Sequence, residues 1–376
     1  MDQWLSTVLN GQPFFSGLNH LLSEYNYRKL TYPEDALPGI SGLLGVLSRS
    51  FEGGFLFGLP EICFDSALMW RANSMNSMKR RKDSGRTNLL NLTSRLPSWS
   101  WISWKCLGMT TIQEDTFRLW DRGYRTTPIV RWYTHETLDA AVKRPINSTW
   151  FYLPQKFQDS GFKLPEGWMR EEYNKTQHGP EKYARGTPPD GLGKYVYRHV
   201  TDPEQYFWLP IPITTLSEAI ELSIAPQTPY ISCRTRRGWF KATKIPESEF
   251  LGINYAHLKR KFTPGLLNHQ GKRCGWLHLH GMDDILQFPE DDSDVDFKVE
   301  IVAICRRKEE DIFARKIREE VEEKREGEIY IPVFKEMYCV LWVEWVAGVA
   351  YRKASGVVEK DVWEGYDTEV VDLILG

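Results

Sequence analysis

Apolar residues recur at helical spacing through the first hundred positions of the chain. One face of a predicted helix is formed by four of them, Leu18, Leu21, Leu22 and Tyr25. A second run of the same period begins at Ile40 and ends at Gly53. Trp99 and Trp101 follow two residues apart, so on a β-strand both rings would share one face. Residues 1–105 are therefore predicted to form a helical segment that a Trp-rich strand closes.

In the next stretch, residues 106–225, apolar residues follow neither the helical period nor the strand period for long. Proline and glycine interrupt it repeatedly between positions 154 and 212, which favours loops over regular elements. It is too aromatic for a free linker, because chains that stay unfolded contain few aromatic residues. We therefore predict an irregular but ordered cover, packed on its neighbours by the rings of Trp168, Tyr173, Tyr183, Tyr195, Tyr197, Tyr206, Phe207 and Trp208.

Alternation of period two dominates residues 226–376. Between Tyr338 and Trp345 nearly every residue is apolar, so on a strand both faces would be apolar. This predicts a strand that is buried on both faces and is therefore central in its sheet. Gly348 predicts a hairpin turn after that strand. The charged stretch near 308–327 carries only a thin apolar stripe, which predicts an exposed helical insertion. The whole pattern indicates an α+β fold with a C-terminal antiparallel β domain over residues 226–376.

Composition and charge exclude several classes of protein. The 376 residues include 41% hydrophobic and 26% charged residues, which is ordinary for a folded chain and excludes global disorder. The 48 basic and 50 acidic residues nearly cancel, so no net field draws the chain to nucleic acid or to an anionic membrane. The 15 tryptophans favour large cores, binding surfaces or both.

Location and partner class can also be inferred from the sequence. It shows no signal peptide and no apolar run long enough to span a bilayer, so we expect a cytoplasmic protein without a membrane partner. Its six cysteines form no CxxC pair and are expected to be reduced thiols. Short basic clusters at 79–82, 234–237 and 259–261 are offset by the acidic tract 290–296. Solvated loops explain each cluster better, and no nucleic-acid partner is predicted.

The chain contains none of the common catalytic or phosphate-binding motifs. We find no GxSxG, no GxGxxG after a strand and no P-loop. The nearest approach to a metal pattern is Cys274, His278 and His280, with Asp283 and Asp284 just beyond. Its spacing fits no standard zinc site, and a strand with two half-buried histidines explains it better. We therefore assign no catalytic residue, no cofactor and no metal ligand.

One segment resembles a family signature. Residues 95–104 closely resemble the Pro-Ser-Trp-Ser-Trp signature of fungal heterokaryon incompatibility (HET) domain proteins. The motif positions, whose role is unknown, are Pro97, Ser98, Trp99, Ser100, Trp101 and Trp104. Weaker likenesses occur in the family's order at 27–37, 39–54, 206–212, 232–239 and 340–363. The three tryptophans could form a ligand-stacking platform, but burial tendencies favour a structural role.

The resemblance implies a biological process, but this sequence lacks the motifs of the family's defining domain. The family takes part in non-self recognition and regulated cell death when incompatible fungal cells fuse. Its defining N-terminal blocks, roughly A-L-S-Y-x-W-G, D-x-L-C-I-x-Q and R-x-W-T-x-Q-E, do not occur in this sequence. That domain is thought to be related to the TIR fold, and any death activity would reside there. We therefore expect an interaction or regulatory module with protein partners, lacking the effector part, and not an enzyme.

Two other interpretations stay open. One is a small-ligand-binding protein or enzyme, with a site between the β domain and the aromatic cover. That site would use Trp239, His278, His280 and the cluster from Arg234 to Arg237. Stoichiometric zinc in the purified protein would favour it. The other is a non-functional remnant or a misassigned gene start, which an exposed apolar docking surface would favour.

Overall fold

The computed structural model describes most of the chain. The described part comprises residues 15–48, 50–72, 78–81, 96–105, 109–110, 126–174, 194–207, 210, 226–246, 262–280, 287–290, 296–310 and 334–376. Short helices dominate its N-terminal part and a large antiparallel sheet its C-terminal part. The α+β prediction is therefore confirmed.

Helices form where the apolar period is helical. The α-helices are α1 (Phe15–Tyr27), α2 (Pro38–Leu47), α3 (Phe64–Ala67), α4 (Leu153–Gln158) and α5 (Lys360–Glu364). Single 3-10 turns lie at Pro33–Ala36, Glu61–Cys63 and Trp101–Ser103. Leu18 and Leu22 are completely buried, as the apolar face of α1 predicts. Within the described residues, no helix has both the length and the apolar character needed to cross a bilayer.

Strands account for more of the described chain than helices do. In chain order they are β1 (Phe55–Leu56), β2 (Leu59–Pro60), β3 (Arg71–Ala72), β4 (Lys79–Arg80), β5 (Trp104–Lys105), β6 (Met109–Thr110), β7 (Thr126–Pro128), β8 (Tyr133–His135), β9 (Arg144–Pro145), β10 (Trp168–Glu172), β11 (Tyr195–His199), β12 (Asp202–Phe207), β13 (Tyr230–Pro246), β14 (Phe262–Leu267), β15 (Arg273–Leu279), β16 (Lys298–Glu310), β17 (Phe334–Val346), β18 (Val349–Glu359) and β19 (Glu369–Leu375). The short strands pair as β1–β2, β3–β6 and β4–β5, and β10, β11 and β12 form a separate three-stranded sheet.

The large sheet closes on itself. Six strands pair antiparallel in the circuit β13–β14–β15–β18–β17–β16, and β16 then pairs back to β13 through Arg237–Lys241. The closure is possible because β13 is 17 residues long and bends from one neighbour to the next. Its first half leaves the circuit and pairs with β8 and β19 instead. We call the six-stranded circuit the barrel.

The barrel separates two apolar cores. Its six strands contribute one common inner cluster, and Trp363 of α5 stacks on Phe240 within it at 5.9 Å. The outer faces of β16, β17 and β18 pack instead against the N-terminal helices, in a second and larger cluster. Val340 and Trp342 of β17 point inward, whereas Cys339 and Leu341 point outward. The prediction of a central strand buried on both faces is confirmed, and so is the turn at Gly348.

Three expectations need correction. The tryptophan segment is not a strand: residues 97–100 form a turn, Trp101–Ser103 is a 3-10 turn, and only Trp104–Lys105 is extended. The charged helical insertion does not begin at Lys308, because β16 continues to Glu310, and residues 311–327 lie outside the described part. The stretch 106–225 is less irregular than expected, because it contributes a three-stranded sheet and adds β7, β8 and β9 to the large sheet.

Candidate functional site

The tryptophan motif folds as a tight turn held by its own hydroxyl groups. Ser100 begins the 3-10 turn, because its Oγ accepts a hydrogen bond from the Ile102 amide at 3.1 Å. The same hydroxyl donates to the Phe57 carbonyl at 2.6 Å. Ser103 donates to the Pro97 carbonyl at 2.5 Å, which closes the turn. The polar residues of the motif are thus used in shaping the backbone.

All three indole groups of the motif donate to backbone carbonyls. Trp99 donates to Pro229 at 3.0 Å and Trp101 to Gly58 at 3.0 Å. Trp104 donates to Ser98 at 3.1 Å. Trp99 and Trp101 are completely buried, while Trp104 keeps a partly exposed edge. A buried ring with a satisfied N–H stabilises a core. Trp99 and Trp101 therefore offer no stacking surface to a ligand.

Ser98 connects the motif to the barrel and to the last residue of the sequence. Its Oγ donates to the Gly376 carbonyl at 2.5 Å, and its backbone amide donates to the same oxygen at 2.8 Å. The Oγ also accepts the Arg352 amide of β18 at 2.9 Å. One serine side chain therefore joins three segments that are far apart in the sequence.

Arg352 is a buried cation that has no carboxylate partner in the described part of the chain. Its guanidinium donates to the Leu68 carbonyl at 2.7 Å and to the Trp70 carbonyl, both just after α3. It also lies 3.7 Å from the centre of the Trp70 ring. Burial holds the pKa of Arg352 well below its usual range. Carbonyl groups at a helix end and an aromatic face are favourable partners for a cation, so this arginine fastens α3 to the barrel.

His280 contacts two tryptophans of this cluster, which also contact each other at 6.3 Å. Its ring stacks on Trp70 at 5.1 Å and lies 4.3 Å from Trp104. Neither ring nitrogen has a hydrogen-bond partner among the described residues, and only 2% of the residue is exposed. Burial and the nearby arginines hold the pKa of His280 well below its usual value, so the ring is neutral at pH 7.

Arg80 completes the cluster on the side of Trp104. Its guanidinium lies 5.3 Å from the Trp104 ring and donates to the Leu96 carbonyl at 2.6 Å. Burial lowers the pKa of Arg80 to about 10. We call Trp70, Arg80, Trp104, His280 and Arg352 the aromatic–cation cluster.

The aromatic–cation cluster shows no catalytic geometry in its described residues. A nucleophile needs a base within hydrogen-bond reach. The hydroxyls of Ser98, Ser100 and Ser103 all donate to carbonyls instead, and His280 contacts rings. The arrangement can join segments, and it can respond to a proton.

The candidate metal pattern is not brought together. His278 lies on the outer face of β15, where its Nε2 is 2.8 Å from the Arg71 guanidinium. Cys274 lies in the inner core, and its thiol donates to the Leu266 carbonyl at 3.4 Å. Asp283 and Asp284 are outside the described part. Among described residues, no three His, Cys, Asp or Glu side chains could hold a metal ion.

The predicted ligand site is also divided between two walls of the barrel. Trp239 pairs with Glu300 of β16, whereas His278 pairs with Ser355 of β18. Arg237 lies 4.8 Å from the Trp239 ring and forms ion pairs with Glu300 and Glu369. Arg236 donates to Thr368, and Arg234 pairs across the ladder with Asp372. The arginine run from Arg234 to Arg237 therefore belongs to a sheet surface, remote from His280.

A second buried ionisable group was not expected from the sequence. Asp65 of α3 is 2% exposed, and its Oδ1 accepts the Trp132 indole N–H at 3.2 Å. Burial raises the pKa of Asp65 to about 6. Cys305 lies against the same residue, with its thiol 3.9 Å from the Asp65 carbonyl. This group lies where α3 packs against β16.

Sequence reasoning missed Arg352, Trp70 and Arg80 because no spacing connects them. They are brought together only by tertiary packing. Comparisons of the chain with protein-family models, with curated proteins and with solved structures found no match.

Proposed function

We propose that the chain acts by binding other proteins, as a cytoplasmic regulatory module of a HET-type protein in fungal non-self recognition and regulated cell death. One observation carries the proposal. Every hydroxyl and indole N–H of the family-like segment 97–104 is bonded to a backbone carbonyl of the chain itself. A motif with this bonding supports a scaffold, and a scaffold acts through its surface.

The outer wall of the barrel offers a surface suited to a protein partner. Trp239 is 38% exposed there, and the Arg237 guanidinium covers part of its ring. Tryptophan and arginine are the residue types most enriched among binding hot spots. Glu369 beside them is 55% exposed, which adds a charge able to select a partner. We propose Trp239 as the centre of the contact.

A fusion assay tests the proposal in the fungus that encodes the chain. The gene is deleted, and the strain is complemented with the wild type, with Trp239→Ala or with Tyr27→Ala. Tyr27 is the matched control, an exposed aromatic residue at the end of α1. Each strain is confronted with an incompatible partner, and dead fusion cells are counted with a vital dye.

We expect deletion to change the frequency of dead fusion cells, and the wild type and Tyr27→Ala to restore it. Trp239→Ala should fail to restore it while unfolding within about 1 kcal/mol of the wild type, as surface changes do. A deletion strain that dies as often as its parent would contradict the role in incompatibility. Full restoration by Trp239→Ala would contradict only the choice of surface.

A further inference from the structure

His280 is held where, among the described residues, a protonated ring has no group to stabilise it. Its ring stacks on Trp70, contacts Trp104 at a tilt of 43°, and the residue is 2% exposed. No acceptor among the described residues lies within hydrogen-bond distance of either ring nitrogen. An imidazolium needs an acceptor for both of its N–H groups, so this closed arrangement accommodates only the neutral ring.

The ionisable groups around His280 also disfavour protonation of its neutral ring. The strands packed nearest to it carry basic side chains, namely Arg71, Arg80, Lys105, His278, Arg352 and Lys353. Arg352, Arg80 and Lys353 act on it electrostatically, all in the direction of deprotonation. Among these cations Lys353 has a carboxylate partner, Glu344 at 3.4 Å, which is more than half exposed.

Trp104 connects this histidine to a short two-stranded ladder. It belongs to the two-residue ladder in which Lys79–Arg80 pairs with Trp104–Lys105, which we call the β4–β5 ribbon. The ribbon meets the barrel through the Trp104 ring on His280, and Arg80 covers that ring from the other strand. A ladder this short is weak by itself, so its position depends on such contacts.

We propose that His280 is an acid-sensitive latch that holds the β4–β5 ribbon on the barrel. At neutral pH the uncharged ring packs against the two tryptophans, and the ribbon is docked. When the pH falls, the ring takes up a proton only in an open arrangement in which Trp104 has moved away from it. This inference does not depend on the proposed function.

The sign and size of the effect follow from linkage. The pKa of His280 is lower in the closed arrangement than its ordinary value of about 6.5, so docking is fully stable above that pH and weakens below it. The open state binds one proton more than the closed state. The opening constant should therefore rise about thirtyfold between pH 7.5 and pH 5.0, approaching tenfold per pH unit. Asp65 titrates in the same range with the opposite sign, because acid neutralises it inside the fold.

Hydrogen exchange of the full chain measures the opening constant directly. Exchange is followed by mass spectrometry between pH 5.0 and 7.5 and corrected for the intrinsic rate at each pH. The reporter amide is Arg81, which donates to the Ser103 carbonyl at 2.8 Å beside the ribbon. Peptides from β17, at the centre of the barrel, report global unfolding.

The variants separate the latch from a general loss of stability. His280→Phe keeps a ring against both tryptophans and cannot titrate, so its opening constant should not vary with pH. His280→Gln repeats the test with a polar, non-titrating side chain if the phenylalanine packs poorly. His278→Gln, on the same face of β15, should keep the thirtyfold rise. The proposal fails if the opening constant of the wild type rises less than threefold between pH 7.5 and pH 5.0, or if that of His280→Phe rises equally. It also fails if β17 loses protection together with Arg81.

Discussion

Replacing Ser98 with alanine removes one oxygen atom and with it the hydrogen bonds by which this side chain joins three segments. The Arg352 amide then lies buried without its 2.9 Å acceptor, and the Gly376 carbonyl keeps only the Ser98 amide at 2.8 Å. A buried donor left without a partner costs about 1–3 kcal/mol, and the lost bond to Gly376 contributes about 1 kcal/mol. We therefore expect Ser98→Ala to lower the free energy of unfolding by about 2–4 kcal/mol.

The matched control is Ser41→Ala on the exposed side of α2. The Ser41 hydroxyl also donates to a backbone carbonyl, that of Pro38 at 2.8 Å, but at the surface. Solvent replaces that bond, so the change should stay within about 0.5 kcal/mol. Urea unfolding followed by tryptophan fluorescence measures both variants, and exchange of the Arg352 amide locates the change. If Ser98→Ala and Ser41→Ala unfold at the same urea concentration, Ser98 does not hold the segments together.

Three further predictions concern other parts of the same core. Because the pKa of Asp65 is about 6 in the fold and near 3.8 unfolded, its charge destabilises the protein as the pH rises through that interval. Urea titrations should show the free energy of unfolding of Asp65→Asn rising by about 2 kcal/mol relative to that of the wild type between pH 4.5 and pH 7.5. A difference between the two proteins that does not change with pH would contradict the burial argument. Gly58→Ala places a Cβ 2.7 Å from Trp101 at φ +78°, whereas Gly348→Ala at φ +81° meets no atom within 4 Å. Thermal unfolding should show Gly58→Ala to be the less stable of the two by about 1–3 kcal/mol, and equal losses would exclude the steric term. Arg352→Lys cannot reach the Leu68 and Trp70 carbonyls together, so we expect a loss of about 2–4 kcal/mol in the same assay. Lys353→Arg next to it should be nearly neutral, and an equal loss there would contradict the role of the guanidinium.

The elements that could be predicted from the sequence are those whose own residues indicate which side is buried or where the chain turns. The two apolar faces of β17 follow from a period of two, and each face does enter a different core. The turn at Gly348 follows from a residue that tolerates a positive φ. These are local signals, and here the tertiary structure follows them.

The tryptophan segment shows where such reasoning fails. Trp99 and Trp101 have strand spacing, but their indole groups bond to carbonyls in different segments, at Pro229 and Gly58. Ser100 also caps a 3-10 turn, a choice that depends on Phe57 being near enough to accept its hydroxyl. Packing therefore decided the backbone here.

The aromatic–cation cluster could not be predicted at all. Trp70, Arg80, Trp104, His280 and Arg352 come from five separate strands or turns. No periodicity relates residues so far apart, and the pairing of β15 with β18 alone places His280 near Arg352. His278 on β15 and His280 just after it did signal a shared face, but the sequence suggested a metal pattern there and not a cluster of aromatic rings.

The attachment of α3 to β18 has a consequence for synthesis of the protein. Arg352 is made 284 positions after the Leu68 whose carbonyl it binds. While the ribosome translates that interval, Trp70 lacks Arg352 and His280, which later pack against its ring. The nascent chain therefore carries exposed aromatic surface for most of its elongation, and such chains aggregate unless chaperones bind them. Cells depleted of ribosome-associated chaperones should accumulate this protein in insoluble form.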